Sequence, residues 1–123
     1  MIRRNIYLLF FLILLLSCSS KKQAFQFEGL KPINGTELYL NAFGEGEPLL
    51  IIHGGPGLSH DYFLPQFEEL GDNFNLIFYD QRVSGRYSVD VADDSITFDL
   101  FVQDIEELRK VTGFEKVNIL AHC

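Results

Sequence analysis

The residues best suited to chemistry are His53-Gly54-Gly55-Pro56-Gly57, which come directly after the apolar run Leu49-Leu50-Ile51-Ile52. A continuous apolar run ended by glycines reads as a strand buried on both faces. The five residues then stand at the carboxyl end of a central strand, where open α/β sheets hold their ligands. Glycine lets the backbone turn sharply and approach a substrate closely. Backbone N–H groups bared by such a turn can face a developing negative charge, as an oxyanion hole requires. The same string also fits an ordinary glycine-rich turn after a strand. On these residues alone both readings stand.

Two more strand-like runs end in residues of chemical interest. Asn75-Leu76-Ile77-Phe78-Tyr79 delivers Asp80-Gln81-Arg82-Val83-Ser84-Gly85-Arg86, and Val117-Asn118-Ile119-Leu120 delivers Ala121-His122-Cys123. HGGPG, then DQRxSGR, then a strand ending in (G/A)-H-nucleophile resembles the α/β-hydrolase superfamily. Within it the chain is similar to the proline iminopeptidase group of serine peptidases. The resemblance runs from about Phe25 to Cys123, the amino-terminal part of that family's catalytic domain. It implies an α/β fold of the α/β-hydrolase type, with an opening hairpin and parallel strands joined by crossover helices, up to the nucleophile elbow.

The resemblance also implies roles. Gly54 and Gly55 would supply oxyanion N–H groups, and His53, Pro56 and Gly57 would support their loop. Cys123 would occupy the nucleophile position. Asp80, Arg82 and Arg86 would brace the active-site floor, with Arg82 paired to Asp80 or to a neighbouring loop. In this fold the acid and the histidine come after the nucleophile in chain order, so both are expected beyond Cys123. Neither His53 nor His122 is expected to be the general base. No cofactor and no metal is implied, and the substrate would be a small peptide or an ester.

The chain departs from the family pattern at three points. Val83 and Tyr87 stand where the family usually has glycine and serine. A β-branched residue is costly wherever φ is positive. Cys123 stands where the family has serine. A thiolate of lowered pKa can perform acyl transfer, which supports a hydrolase. The other reading is a catalytically inactive lipoprotein remnant or split-gene fragment, lacking acid and base.

Further elements must position these residues. Gln26 to Leu30 and Glu37 to Ala42 read as a hairpin about Asn34-Gly35. Tyr62 to Leu70 reads as a helix through Phe63, Phe67 and Leu70, with Asp61 at its start and Gly71 as its stop. Thr97 to Thr112 is the clearest helix, with Phe98, Phe101, Val102, Ile105, Leu108 and Val111 on one face, a Thr97 cap and a Gly113 stop. Tyr87 to Ile96 reads as a loop, in which Asp90, Asp93 and Asp94 form a solvated acidic turn and not a metal cluster. The order is β-β-β-α-β-α-β, with the last three strands parallel through right-handed crossovers. Which faces the helices cover is left open. The nucleophile strand would be an edge, and the polypeptide alone is expected to be unstable.

The first residues carry a different message. Arg3-Arg4, the apolar Ile6 to Leu16 and then Ser17-Cys18-Ser19-Ser20 form a secretory signal. Leu15-Leu16-Ser17-Cys18 resembles a bacterial lipobox, which implies cleavage before Cys18 and a lipid on its thiol. A non-lipidated signal or simple membrane anchor is the other reading. The organisation is then a signal over 1–17, a lipidated tether over 18–24 and a partial hydrolase domain over 25–123, exported and membrane-anchored at a bacterial cell envelope. Loss of Arg3 and Arg4 takes the formal charge from −7 to −9. Such acidity argues against a nucleic-acid partner, which needs a basic surface. With one of two cysteines lipidated, no intrachain disulfide is expected.

Overall fold

A computed structural model describes residues 23–55, 57–86 and 96–123 of the chain. The proposed signal, Cys18, Pro56 and the acidic stretch with Asp90, Asp93 and Asp94 lie outside the described residues.

Five strands form one mixed sheet in the order β1-β2-β4-β3-β5. They are β1 (Phe27–Ile33), β2 (Thr36–Phe43), β3 (Glu47–Ile52), β4 (Phe74–Tyr79) and β5 (Asn118–Ala121). β1 and β2 make the expected hairpin, closed by the Ile33–Thr36 pair. Asn34 and Gly35 both take positive φ, 45° and 76°. Two-residue hairpin turns need this conformation to match the strand twist, and Asn-Gly supplies it most easily. β2 pairs antiparallel with β4, while β4 and β5 flank β3 in parallel.

Strand alternation divides the core between the two faces of the sheet. Leu50, Ile77 and Tyr79 face one way, with Leu38, Leu40, Leu108 and Phe114. Ile51, Leu76 and Phe78 face the other, with Phe63 buried among them and Phe67 and Leu70 packed alongside. The two helical connections therefore cover opposite faces. A buried amide fastens the start of the domain. Asn75 Oδ1 accepts from the Phe25 N–H at 2.9 Å, and its Nδ2 donates to the carbonyls of Phe25, Phe43 and Gly44 at 2.9–3.1 Å.

The first connection is not the single helix expected over 62–70. It is a 3₁₀ turn (His60–Tyr62), one α-helical turn α1 (Leu64–Phe67) and a second 3₁₀ stretch (Glu68–Asp72). Pro65 removes a donor early in the segment. Phe63, Phe67 and Leu70 still reach the core, so burial of the aromatic face sets the path. Asp61 is an acid of the segment's first turn, one of the two expected roles, and makes no capping bond. It accepts a hydrogen bond from the Ser59 hydroxyl instead.

The second connection is the regular helix α2 (Phe98–Val111). Thr97 caps it, its Oγ1 accepting from the Leu100 N–H at 3.2 Å. Gly113, at φ 80°, ends it. The Gly113 N–H donates to the Lys110 carbonyl and the Phe114 N–H to the Arg109 carbonyl, the paired bonds of a Schellman motif. The expected apolar face needs correction. Leu108 is buried, and Ile105 and Val111 pack on the core, but Phe98 is 91% exposed and Val102 64%. The centre of the buried face is a carboxylate, Asp104.

Candidate active site

The parallel pairing of β3 and β5 sets Ile52 beside Ala121. His53 and His122 therefore leave the sheet at the same end, and the His122 N–H donates to the Ile52 carbonyl at 3.0 Å. The crowding at this end favours glycine at position 54. A Cβ on Gly54 would lie 3.1 Å from both the Cys123 carbonyl carbon and His122 Nδ1, tighter than side chains normally pack. The glycine loop thus lies directly against Cys123, whose thiol is free and exposed.

His53 is buried and works on its own loop. Its Nε2 accepts from the Gln81 N–H at 3.0 Å, and its carbonyl accepts from Gln81 Nε2 at 2.7 Å. Its proton then sits on Nδ1, 3.2 Å from the Gly54 carbonyl. One expectation changes here. The Gly54 N–H is not open to a substrate, because it donates to the Tyr62 hydroxyl at 2.8 Å. Gly55, at φ 58°, has no partner for its N–H among the described residues. The Gly57 N–H donates to Ser84 Oγ at 3.1 Å, which links the loop to the neighbouring segment after β4.

That segment is organised by Asp80. Its buried carboxylate accepts from the His60 N–H at 2.9 Å, from His60 Nδ1 at 2.8 Å and from the Arg86 N–H at 2.8 Å. Burial alone would raise the pKa of this carboxyl. The hydrogen bonds from the His60 ring and from the Arg86 and His60 amides, with electrostatic attraction to the His60 ring, outweigh that and hold it below the usual carboxylate range. Gly85, at φ 58°, is required beside it, since the Asp80 carboxylate fills the place of a Cβ. The Arg86 side chain donates to Asp61 at 3.0 Å and covers the Tyr39 ring at 4.5 Å.

Among the described residues Arg82 bonds the hairpin loop, as one of the two expectations had it, and its ion pair is with Asp104. It reaches into α2, where Nε and Nη2 meet the two Asp104 oxygens at 2.6 and 2.8 Å. Nη2 also donates to the Asn34 carbonyl at 2.7 Å, and Asn34 Nδ2 donates to Asp104 at 2.9 Å. The hairpin turn, the loop after β4 and the helix meet at one buried ion pair. Val83, next in sequence, has φ 55°, so it sits in the left-handed region that the family glycine would occupy without strain.

Tyr62, His60 and Asp104 are participants that sequence reasoning missed. Only the Asp104 signal was visible in principle, as a charge inside an apolar helical stripe. Beside the glycine loop opens a cleft of about 420 Å³, lined by Gly55, Gln81, Val83, Phe98, Phe101 and His122 among others. Among the described residues no side chain hydrogen-bonds the Cys123 thiol, and no group of three or more His, Cys, Asp or Glu could hold a metal.

The sheet order and the glycine loop packed against the residues after β5 define a class, and comparison with known families gives the same one. The profile described as alpha/beta hydrolase fold matches residues 47–123, and the chain belongs to that family. Among curated relatives, a proline iminopeptidase of Saccharolobus solfataricus is 41% identical over 100 residues, covering 77% of this chain and 32% of that protein. One from Clostridioides difficile is 33% identical, over 76% of this chain and 33% of its own length. Among solved structures, a proline iminopeptidase-related protein of Thermus thermophilus superposes with a TM-score of 0.72 at 32% identity. It is matched over 79% of this chain and 36% of that one. An epoxide hydrolase from Bacillus megaterium superposes at 0.68 with 26% identity, over 76% and 32% of the two chains. The chain spans about a third of the length of these relatives.

Proposed function

We propose that this chain is the amino-terminal part of a hydrolase of the proline iminopeptidase type, which cleaves a peptide or ester bond by acyl transfer. The observation that carries the reading is the contact of Gly54 with His122 and Cys123. It brings the glycine loop and the nucleophile position to one end of the sheet.

In this mechanism the Cys123 thiolate attacks the substrate carbonyl. The Gly55 N–H faces the oxyanion that forms, and Gly54 holds the loop instead of donating to it. The residue after the nucleophile supplies the second donor, and the acid and histidine come from later segments, as in the family. The amine or alcohol leaves with a proton from the histidine. Water then attacks the thioester and regenerates the thiol. Similarity to proline iminopeptidases favours an amino-terminal residue, proline above all, as the acyl group.

The location belongs to the same proposal. The run Leu15-Leu16-Ser17-Cys18 after an apolar segment supports export and a lipid on Cys18, which would hold the enzyme at a membrane surface.

The test is a steady-state assay of the full-length protein with a chromogenic prolyl amide and an ester. Turnover that disappears in Cys123→Ala and returns in Cys123→Ser supports the reading. No hydrolysis of either substrate by the natural protein refutes it, and so does full activity in Cys123→Ala.

A further inference from the structure

Tyr62 joins the two halves of the site. Its hydroxyl accepts from the Gly54 N–H at 2.8 Å and lies 3.1 Å from His122 Nδ1. Its ring sits edge-on to His122 at 5.7 Å and packs on Phe63 at 4.3 Å, and the Phe63 ring itself meets His122 edge-on at 5.8 Å. Phe63 is buried in the core beneath. The Tyr62 ring therefore rests on the buried Phe63 ring, while its outer side is exposed.

The polarity of the Gly54–Tyr62 bond is set by its donor. A backbone N–H can only donate, so the tyrosine oxygen accepts from Gly54. The tyrosine proton is then free to point at His122 Nδ1. The Gly54 N–H, the Tyr62 hydroxyl and His122 Nδ1 thus form one hydrogen-bonded chain, the direction of its second link following the imidazole tautomer. It runs from the residue before the remaining oxyanion donor, Gly55, to the residue before Cys123.

We infer that Tyr62 is a positioning residue: through this chain it fixes the distance between the Gly55 N–H and the thiol of Cys123. The inference rests on the hydrolase reading for its consequence but not for its geometry. Rotation of the Gly54 peptide would re-aim the adjoining Gly55 N–H. An oxyanion donor acts only from hydrogen-bond range of the place where the charge develops. Small displacements of such groups are costly, about a hundredfold in rate for 1 Å. The effect falls on the transition state, so it lowers kcat and leaves KM in place.

The test compares the full-length protein with its Tyr62→Phe variant, which keeps the ring contacts and removes only the hydroxyl. Two readouts are taken: amide hydrogen exchange at Gly54, and kcat and KM for the prolyl amide. The expected result is faster exchange at Gly54 with unchanged exchange at Leu50, together with a kcat lower by about tenfold and an unaltered KM. Unchanged exchange at Gly54 overturns the clamp. Faster exchange with unchanged kcat overturns the positioning role and leaves an ordinary structural bond. If the natural protein hydrolyses nothing, the hydrolase reading and the positioning role fall together, while Gly54 exchange still decides whether the clamp exists. Should Tyr62→Phe fail to fold, His122→Phe strips the other end of the chain. A drop in kcat of about threefold or more at constant KM then supports the inference, and an unchanged kcat overturns it.

Discussion

Arg82 and Asp104 form a two-pronged ion pair, 2.6 and 2.8 Å long, whose side chains are 6% and 1% exposed. It joins the loop after β4 to the middle of α2, and the Asn34 turn closes over it. The charges compensate one another and are tied by these hydrogen bonds, so the pair favours one arrangement of the loop.

Removing one partner leaves the other charged and buried. Asp104→Ala is expected to cost about 3–5 kcal/mol, read from the urea midpoint of the full-length protein. Replacing both residues, as Arg82→Met with Asp104→Leu, is expected to restore much of the loss. Equal losses in the single and double variants would show that the pair is not what holds the loop.

Val83 carries strain that its neighbours do not require. Its φ of 55° places a β-branched residue in the left-handed region, at about 1–2 kcal/mol. Its side chain is half-buried against the core, which returns part of that cost. Val83→Gly is expected to raise stability by about 1 kcal/mol, seen as a higher Tm. A lower Tm would mean that the lost packing outweighs the released strain.

Acid should loosen the loop through Asp80. Its folded-state pKa lies below the unfolded value, since hydrogen bonds from His60 and Arg86 favour the charged form against the opposing effect of burial. The contribution to stability is therefore complete above the unfolded pKa, about 3.9, and is lost as pH falls through the folded value. Asp80→Asn removes this titration. Between about pH 5 and pH 3 the variant is expected to lose less stability than the natural protein, measured by urea midpoints. Parallel losses would assign the acid limb to other carboxylates.

The strands were legible because each is a short apolar run ending in turn residues. The Asn34-Gly35 hairpin, the parallel β3, β4 and β5 and the caps at Thr97 and Gly113 all arise from local chemistry. The site was legible only where it is contiguous, in His53-Gly54-Gly55 and in Asp80 to Arg86. What failed was non-local. The α2 stripe gathered Phe98 and Val102 because they are apolar. At about 100° per residue, however, Val102 lies about 120° around the helix from Leu108, and no described element packs there. Asp104 does not stand out in the sequence because a carboxylate belongs inside only when its partner is known, and Arg82 is 22 positions away. Periodicity assigns Tyr62 to a helix, since nothing in its neighbours shows that its hydroxyl meets Gly54. The 60–72 segment bends through 3₁₀ turns because its aromatics track the sheet surface, a constraint that periodicity does not carry.

The most direct test of the central claim is to look for the acyl-enzyme. The full-length protein, quenched during turnover of a prolyl ester, is digested and its peptides are weighed by mass spectrometry. The account predicts a prolyl mass increment on the peptide ending at or containing Cys123, absent from Cys123→Ala and removed by hydroxylamine. Continued turnover with no increment on Cys123, or the same increment in Cys123→Ala, would contradict it.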